Sequence, residues 1–188
     1  MDETKQLEAN KEEIIKVLRG TKVEGIEELI LYLENTDFFS APASTKYHNS
    51  HIGGLAEHSL SVYKIFSDKV VQFKLDTPHR TVALCGLLHD LCKTNQYFLS
   101  EYKTKEGGRW TCRPQFPAGH GEKSVFLCMP HIKLTEKEIL LIRFHMGSPS
   151  DFYERMSFDQ AREEHPELTL LMTADLESSF VVERREGK

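Results

Sequence analysis

The run LLHDLCK, residues 87–93, sets a histidine and an aspartate side by side at the end of an apolar segment. Together they offer a nitrogen donor and an anionic oxygen donor, ligand types that divalent cations take from proteins. Three more residues share this setting. His58 lies three after Leu55 and four before Val62; His145 lies four after Leu141 and three after Ile142; Asp175 lies four after Leu171 and three after Met172. His89 lies four after Cys85 and seven after Val82. Spacings of three and four share one face of a helix, so each helix aims a histidine or carboxylate inward among apolar neighbours. A buried carboxylate is normally paired or bound to a metal. Asp175 has no lysine or arginine within a helical turn, and Asp90 has only Lys93 close in sequence. Taken singly, each residue has an ordinary reading: a hydrogen-bonded core histidine, a frayed helix end, a capping carboxylate. One cation held by two imidazoles and two carboxylates would satisfy His58, His89, Asp90 and Asp175 together, and helix-bundle cores do assemble ligands from facing helices.

The elements that must position these residues read as almost entirely helical. Apolar periodicity predicts helices over about Glu8–Arg19, Glu24–Asn35 and Leu55–Phe73. Thr77 and Pro78 have the residue types of a cap and first position for a fourth helix running to about Cys92. The loosely alternating stretch around 97–116, with Gly107-Gly108 at its middle, reads as a β-hairpin. A short helix over Gly121–Met129 follows. Thr135–Glu138 is a capping-box sequence opening a helix through His145, and Ser157–Gln160 is a second one, opening a helix to about Glu164. The last helix follows Pro166 and runs about Glu167–Val182. The fold class expected is all-α, a helical bundle with a small hairpin insertion. Residues 1–40 form an N-terminal helical extension on a 41–188 domain, within one structural unit.

Composition narrows the partners. Net charge is -5, which argues against duplex DNA binding, since that needs a basic face. No apolar run approaches ~18 residues, so no membrane span is expected. The polar, acidic start MDETKQLEANKEE does not resemble a signal peptide, which gives a cytoplasmic expectation. Four cysteines without a CxxC pair read as free thiols. From Lys93 to Lys123 there are six basic and three acidic residues, so the hairpin region is locally positive in an acidic protein and is a candidate contact for an anionic substrate.

The motifs GGLAEHS around His58, LLHDLCK at His89-Asp90 and TADLESS at Asp175, in that order, resemble the HD-domain superfamily of metal-dependent phosphohydrolases, over about residues 41–180. PASTKYH, residues 42–48, further resembles the entry to the HD module of bacterial 3'-5' exoribonucleases. Asn49 stands where a second histidine is usual there, and the OB domain that precedes the module in those enzymes has no counterpart in this chain.

The resemblance implies that His58, His89, Asp90 and Asp175 hold a first divalent metal, drawn from Mn, Fe, Ni, Co, Zn or Mg. His120 and His145 are implied as ligands of a second ion or as contacts to substrate and water, with Asp90 bridging. Lys93, in the family's HDxxK pattern, is assigned with Asp90 to the chemistry and to phosphate; His48 and Arg143 are further substrate contacts. The implied activity is hydrolysis of a phosphoester in a small substrate, a nucleotide or short oligonucleotide, by metal-activated water. Two alternatives stay open: a di-iron oxygenase of the same superfamily, and a non-enzymatic metal-binding regulatory module.

Overall fold

A computed structural model describes residues 3–46, 49–104, 107–113, 116 and 118–183. The order of elements is α1 (Glu3–Gly20), α2 (Ile26–Glu34), α3 (Gly54–Gln72), α4 (His79–Leu88), a 3-10 turn (Leu91–Lys93), β1 (Tyr97–Thr104), β2 (Gly107–Cys112), α5 (His120–Cys128), α6 (Glu136–Phe144), α7 (Phe152–Glu164), α8 (Glu167–Glu177) and a π turn (Ser178–Val182). The protein is all-α with one two-stranded antiparallel hairpin. None of the described helices is long and apolar enough to cross a membrane.

The helical periodicities bury the residues they mark. Leu55, Val62 and Phe66 of α3, Leu84, Leu87 and Leu88 of α4, Leu141 and Ile142 of α6, and Leu168 and Leu171 of α8 belong to one apolar core. That core includes Ile14 and Leu18 of α1 and Leu29 and Leu33 of α2. α3 packs on α4 and α8, α4 on α6, and α6 on α5 and α8. The helices carrying His58, His89, His145 and Asp175 therefore share one interior.

Polar ties fix how these helices meet. Glu138, fully buried in α6, takes a bidentate pair of hydrogen bonds from Arg80 of α4 at 2.8 and 2.9 Å. Thr81 donates to the same carboxylate at 3.1 Å. Glu138 also closes the capping box: its N–H donates to Thr135 Oγ1 while its carboxylate accepts from the Thr135 N–H. Glu167 at the start of α8 accepts from Thr77 and Lys137, each at 2.8 Å. Thr77 is thus spent on α8 and does not cap α4, which starts at His79 after Pro78.

Other boundaries depart from the sequence reading. Ser157 opens nothing: α7 begins five residues earlier, where Asp151 accepts from the N–H groups of Tyr153 and Glu154. Asp151 is the stronger cap because its carboxylate satisfies two free donors at once. α4 stops at Leu88, and His89 and Asp90 lie between it and the 3-10 turn. In the hairpin, Thr104 pairs with Gly107 and Lys103 with Gly108, so the glycines open β2, and the strands end at Cys112. The connection at 105–106 lies outside the described residues. α8 keeps α geometry only to Glu177.

Candidate metal centre

His58 stands in the second turn of α3, fully buried. His89 is the residue that closes α4, also fully buried. The two Nε2 atoms lie 3.3 Å apart. This approach depends on Gly86, one turn before His89. A Cβ there would lie 2.7 Å from Tyr63 Cα on α3, so only glycine lets the two helix backbones come this close. The Gly86 carbonyl then accepts a hydrogen bond from His89 Nδ1 at 2.9 Å.

Three of the histidines are anchored alike. His89 Nδ1 faces the Gly86 carbonyl, His145 Nδ1 faces the Ile142 carbonyl at 2.7 Å, and His58 Nδ1 faces the Glu183 carboxylate at 2.8 Å. A carbonyl only accepts, so His89 and His145 must donate from Nδ1, which in the neutral ring leaves the lone pair on Nε2. Each Nε2 points to a common interior. Metal-ligating histidines are held in this way, with the far nitrogen donating to a carbonyl or carboxylate.

Asp90 sits at the meeting point, 2 % exposed. Its Oδ2 accepts from Lys93 Nζ at 2.6 Å and lies 3.4 Å from His58 Nε2 and 3.6 Å from His89 Nε2. Its Oδ1 lies 2.5 Å from His120 Nε2 and 3.6 Å from His145 Nε2. One carboxylate thus faces two sets of nitrogens, one per oxygen. Asp175 Oδ1 lies 3.2 Å from His58 Nε2 and accepts from Ser179 at 3.3 Å.

The charges follow from this crowding. Burial disfavours charge on Asp90, but Lys93, His89 and His120 outweigh it and hold the carboxyl well below the usual range. Asp175 is likewise lowered, with His58 overcoming the cost of burial. For His58 burial works against the proton, yet hydrogen bonds with Asp175, Asp90 and Glu183 raise its pKa well above 6.5. Burial pushes His89 down to about 3, so its Nε2 carries a lone pair at neutral pH. Lys93 is raised, Asp90 offsetting its burial.

α5 and α6 bring in the second histidine pair. His120 opens α5 and is about one-third exposed, whereas His145 follows α6 and is buried. A Cβ on Gly121 would fall 2.0 Å from the Arg143 carbonyl, so Gly121 is the clearance that lets α5 lie on α6. The His120 and His145 ring centroids are then 5.4 Å apart. His120 also faces Asp90 through Nε2, donating to Oδ1. The buried Nε2 of His145 has no hydrogen-bond partner among the described residues. A buried polar atom left bare among anionic and imidazole donors is the observation a cation best explains.

Among the described residues, three groups of donor atoms each lie within 4.8 Å of one another: His58, His89 and Asp175; His89, Asp90 and His145; and Asp90, Cys92 and His120. These groups could hold a metal ion. Imidazole with carboxylate is a donor set that suits transition metals. The Cys92 thiol, pushed up to about 12 by burial, stays protonated beside them.

Not every expected contact converges. Arg143 turns away, donating to Glu122 at 2.8 Å and lying 3.5 Å from Glu154, so its charge is already matched. His48 lies outside the described residues. Two residues were not singled out from sequence. Glu183 carried no apolar periodicity to mark it as inward. Lys123 appeared only in a charge count; it is 7 % exposed, and its hydrogen-bond partner is the Gln96 amide oxygen at 3.4 Å. Lys93 and Lys123 both act electrostatically on the Cys92 thiol, so two buried ammonium groups stand near the cluster.

Compared with family models, curated proteins and solved structures, the chain finds no match.

Proposed function

We propose that the protein is a metal-dependent phosphohydrolase acting on a phosphoester of a nucleotide or short oligonucleotide. The observation that carries this is Asp90, whose two oxygens face His58 and His89 on one side and His120 and His145 on the other. The ordered likeness of GGLAEHS, LLHDLCK and TADLESS to HD-domain phosphohydrolases supports the same reading.

His58, His89, Asp90 and Asp175 would hold one divalent ion, and His145 with Asp90 a second. Bound there, such an ion acidifies a water to a nucleophile near neutral pH and offsets charge on a phosphoryl oxygen. The remaining work falls to this chain's own groups. Anchoring at Nδ1 orients His89 and His145 before any ligand arrives. Lys93 keeps Asp90 ionised and brings a cation to the phosphoryl group. Lys123, buried and with no carboxylate partner among the described residues, adds a second charge that an anionic substrate would match. His120 holds a proton at Nε2 and is the more exposed of the pair, placed to pass that proton to the leaving oxygen.

The test is a screen of nucleotides, cyclic nucleotides and short RNA or DNA with Mn, Fe, Co, Ni, Zn or Mg added. Release of phosphate or nucleoside monophosphate by wild type but not by Asp90→Ala is the expected result. Equal behaviour of the two proteins would sink the proposal.

A further inference from the structure

The fully buried His58 and the C-terminal end of the described chain meet in a contact whose partners are 125 residues apart. The Glu183 carboxylate lies 2.8 Å from His58 Nδ1, and both side chains are buried. Ser178 donates to the same carboxylate oxygen at 2.5 Å and lies 2.6 Å from Ser61 Oγ on α3. Resting on the metal-centre reading above, we propose that Glu183 is a positioning residue for His58, and that the π turn exists to deliver it. Glu183 fixes the Nδ1–H tautomer and turns Nε2 toward Asp90 and Asp175.

The register argument is geometric. In α geometry eight residues make about 2.2 turns, so Glu183 would stand roughly 80° around the helix from Asp175. One i→i+5 turn, closed by the Glu183 N–H on the Ser178 carbonyl at 2.9 Å, absorbs one residue. The spacing then acts as seven, and Glu183 falls within about 20° of the Asp175 face. Asp175 and Glu183 thereby grip the two nitrogens of one imidazole, Asp175 at Nε2 and Glu183 at Nδ1. A carboxylate behind a ligating imidazole fixes its tautomer and raises its basicity. His89 and His145 use carbonyls for the same purpose, so His58 is the one of the three with an anionic anchor.

The experiment is calorimetric titration of Zn2+ into the full chain, with wild type, Glu183→Ala and Glu183→Gln. Glu183→Ala should weaken binding by about 10–100-fold. Glu183→Gln should lose less, because its amide oxygen still accepts from Nδ1. In Zn2+-loaded wild type, long-range 15N–1H correlation should show His58 protonated at Nδ1 and bound through Nε2. An affinity for Glu183→Ala within about twofold of wild type, or Zn2+ on Nδ1 of His58, overturns the inference while leaving the metal centre standing. Failure of wild type to bind any divalent ion overturns both. If Glu183→Ala does not fold, the wild-type spectrum and the Gln titration decide, and a Gln affinity equal to wild type alongside metal on Nδ1 counts against the proposal.

Discussion

The Nε2 atoms of His58 and His89 lie 3.3 Å apart because Gly86 lets α3 and α4 touch backbone to backbone. Neither histidine carries that distance in its own neighbourhood. It belongs to the helix crossing, and the crossing can be tested by widening it.

Gly86→Ala should be destabilising even though alanine is the better helix former by about 1 kcal/mol. The new Cβ would meet Tyr63 Cα at 2.7 Å, and overpacking against backbone costs about 1–3 kcal/mol. Urea denaturation should show the loss, and Zn2+ affinity should fall with it. A stabilised variant would mean that α3 and α4 are not in contact here.

His145 and His120 should separate by function. His145→Ala removes a buried nitrogen aimed at Asp90, and should lower the amount of metal retained after dialysis. His120→Ala should keep metal but reduce kcat by about 10²–10⁴-fold, the usual loss when a proton donor is removed. Metal content and turnover measured on the same preparations distinguish the two; equal loss of metal would make His120 a ligand instead.

Asp90→Ala should unfold more easily as well as lose metal, since it strands the buried Lys93 ammonium. Breaking a buried pair costs about 3 kcal/mol or more. Adding Lys93→Met should recover part of the stability and none of the metal binding. Chemical denaturation of the single and double variants reads the first; metal analysis reads the second.

Acid should weaken the α4–α6 clamp. Burial opposes charge on Glu138, but the Arg80 hydrogen bonds and the Thr135 N–H hold its pKa below 4.5. A depressed carboxylate contributes stability that is fully present above about pH 4.5 and is lost as pH falls through the lowered folded value. The gap in Tm between wild type and Glu138→Gln should therefore be widest near neutral pH and close on acidification. A gap that does not change with pH would place the effect in packing instead of charge.

Several features were legible in residue order because the forces that set them are local. Leucines three and four residues from His58, His145 and Asp175 marked a buried face; His58 and His145 are buried on it, and Asp175 is partly buried there. The Thr135–Glu138 box works because both partners sit within one turn. Ser157 failed as a cap for a comparable reason: Asp151, six residues ahead of it, had already claimed the free N–H groups. Local rules compete, and the better acceptor wins.

By itself the sequence determined the helical class, the hairpin and the inward direction of the histidines and acids. Only the tertiary structure decided which of them meet. Arg143 was lost to Glu122 and Glu154, residues on other helices that no spacing within α6 could announce. Gly121 proved to be clearance for a neighbouring carbonyl. Glu183 reached His58 through a one-residue change of helical register near the end of the chain. Periodicity fixes the face a side chain takes within its own helix, over a few residues. The partner on the opposite side is set by the crossing of helices far apart in sequence, where backbone clearance and buried charge must be satisfied together.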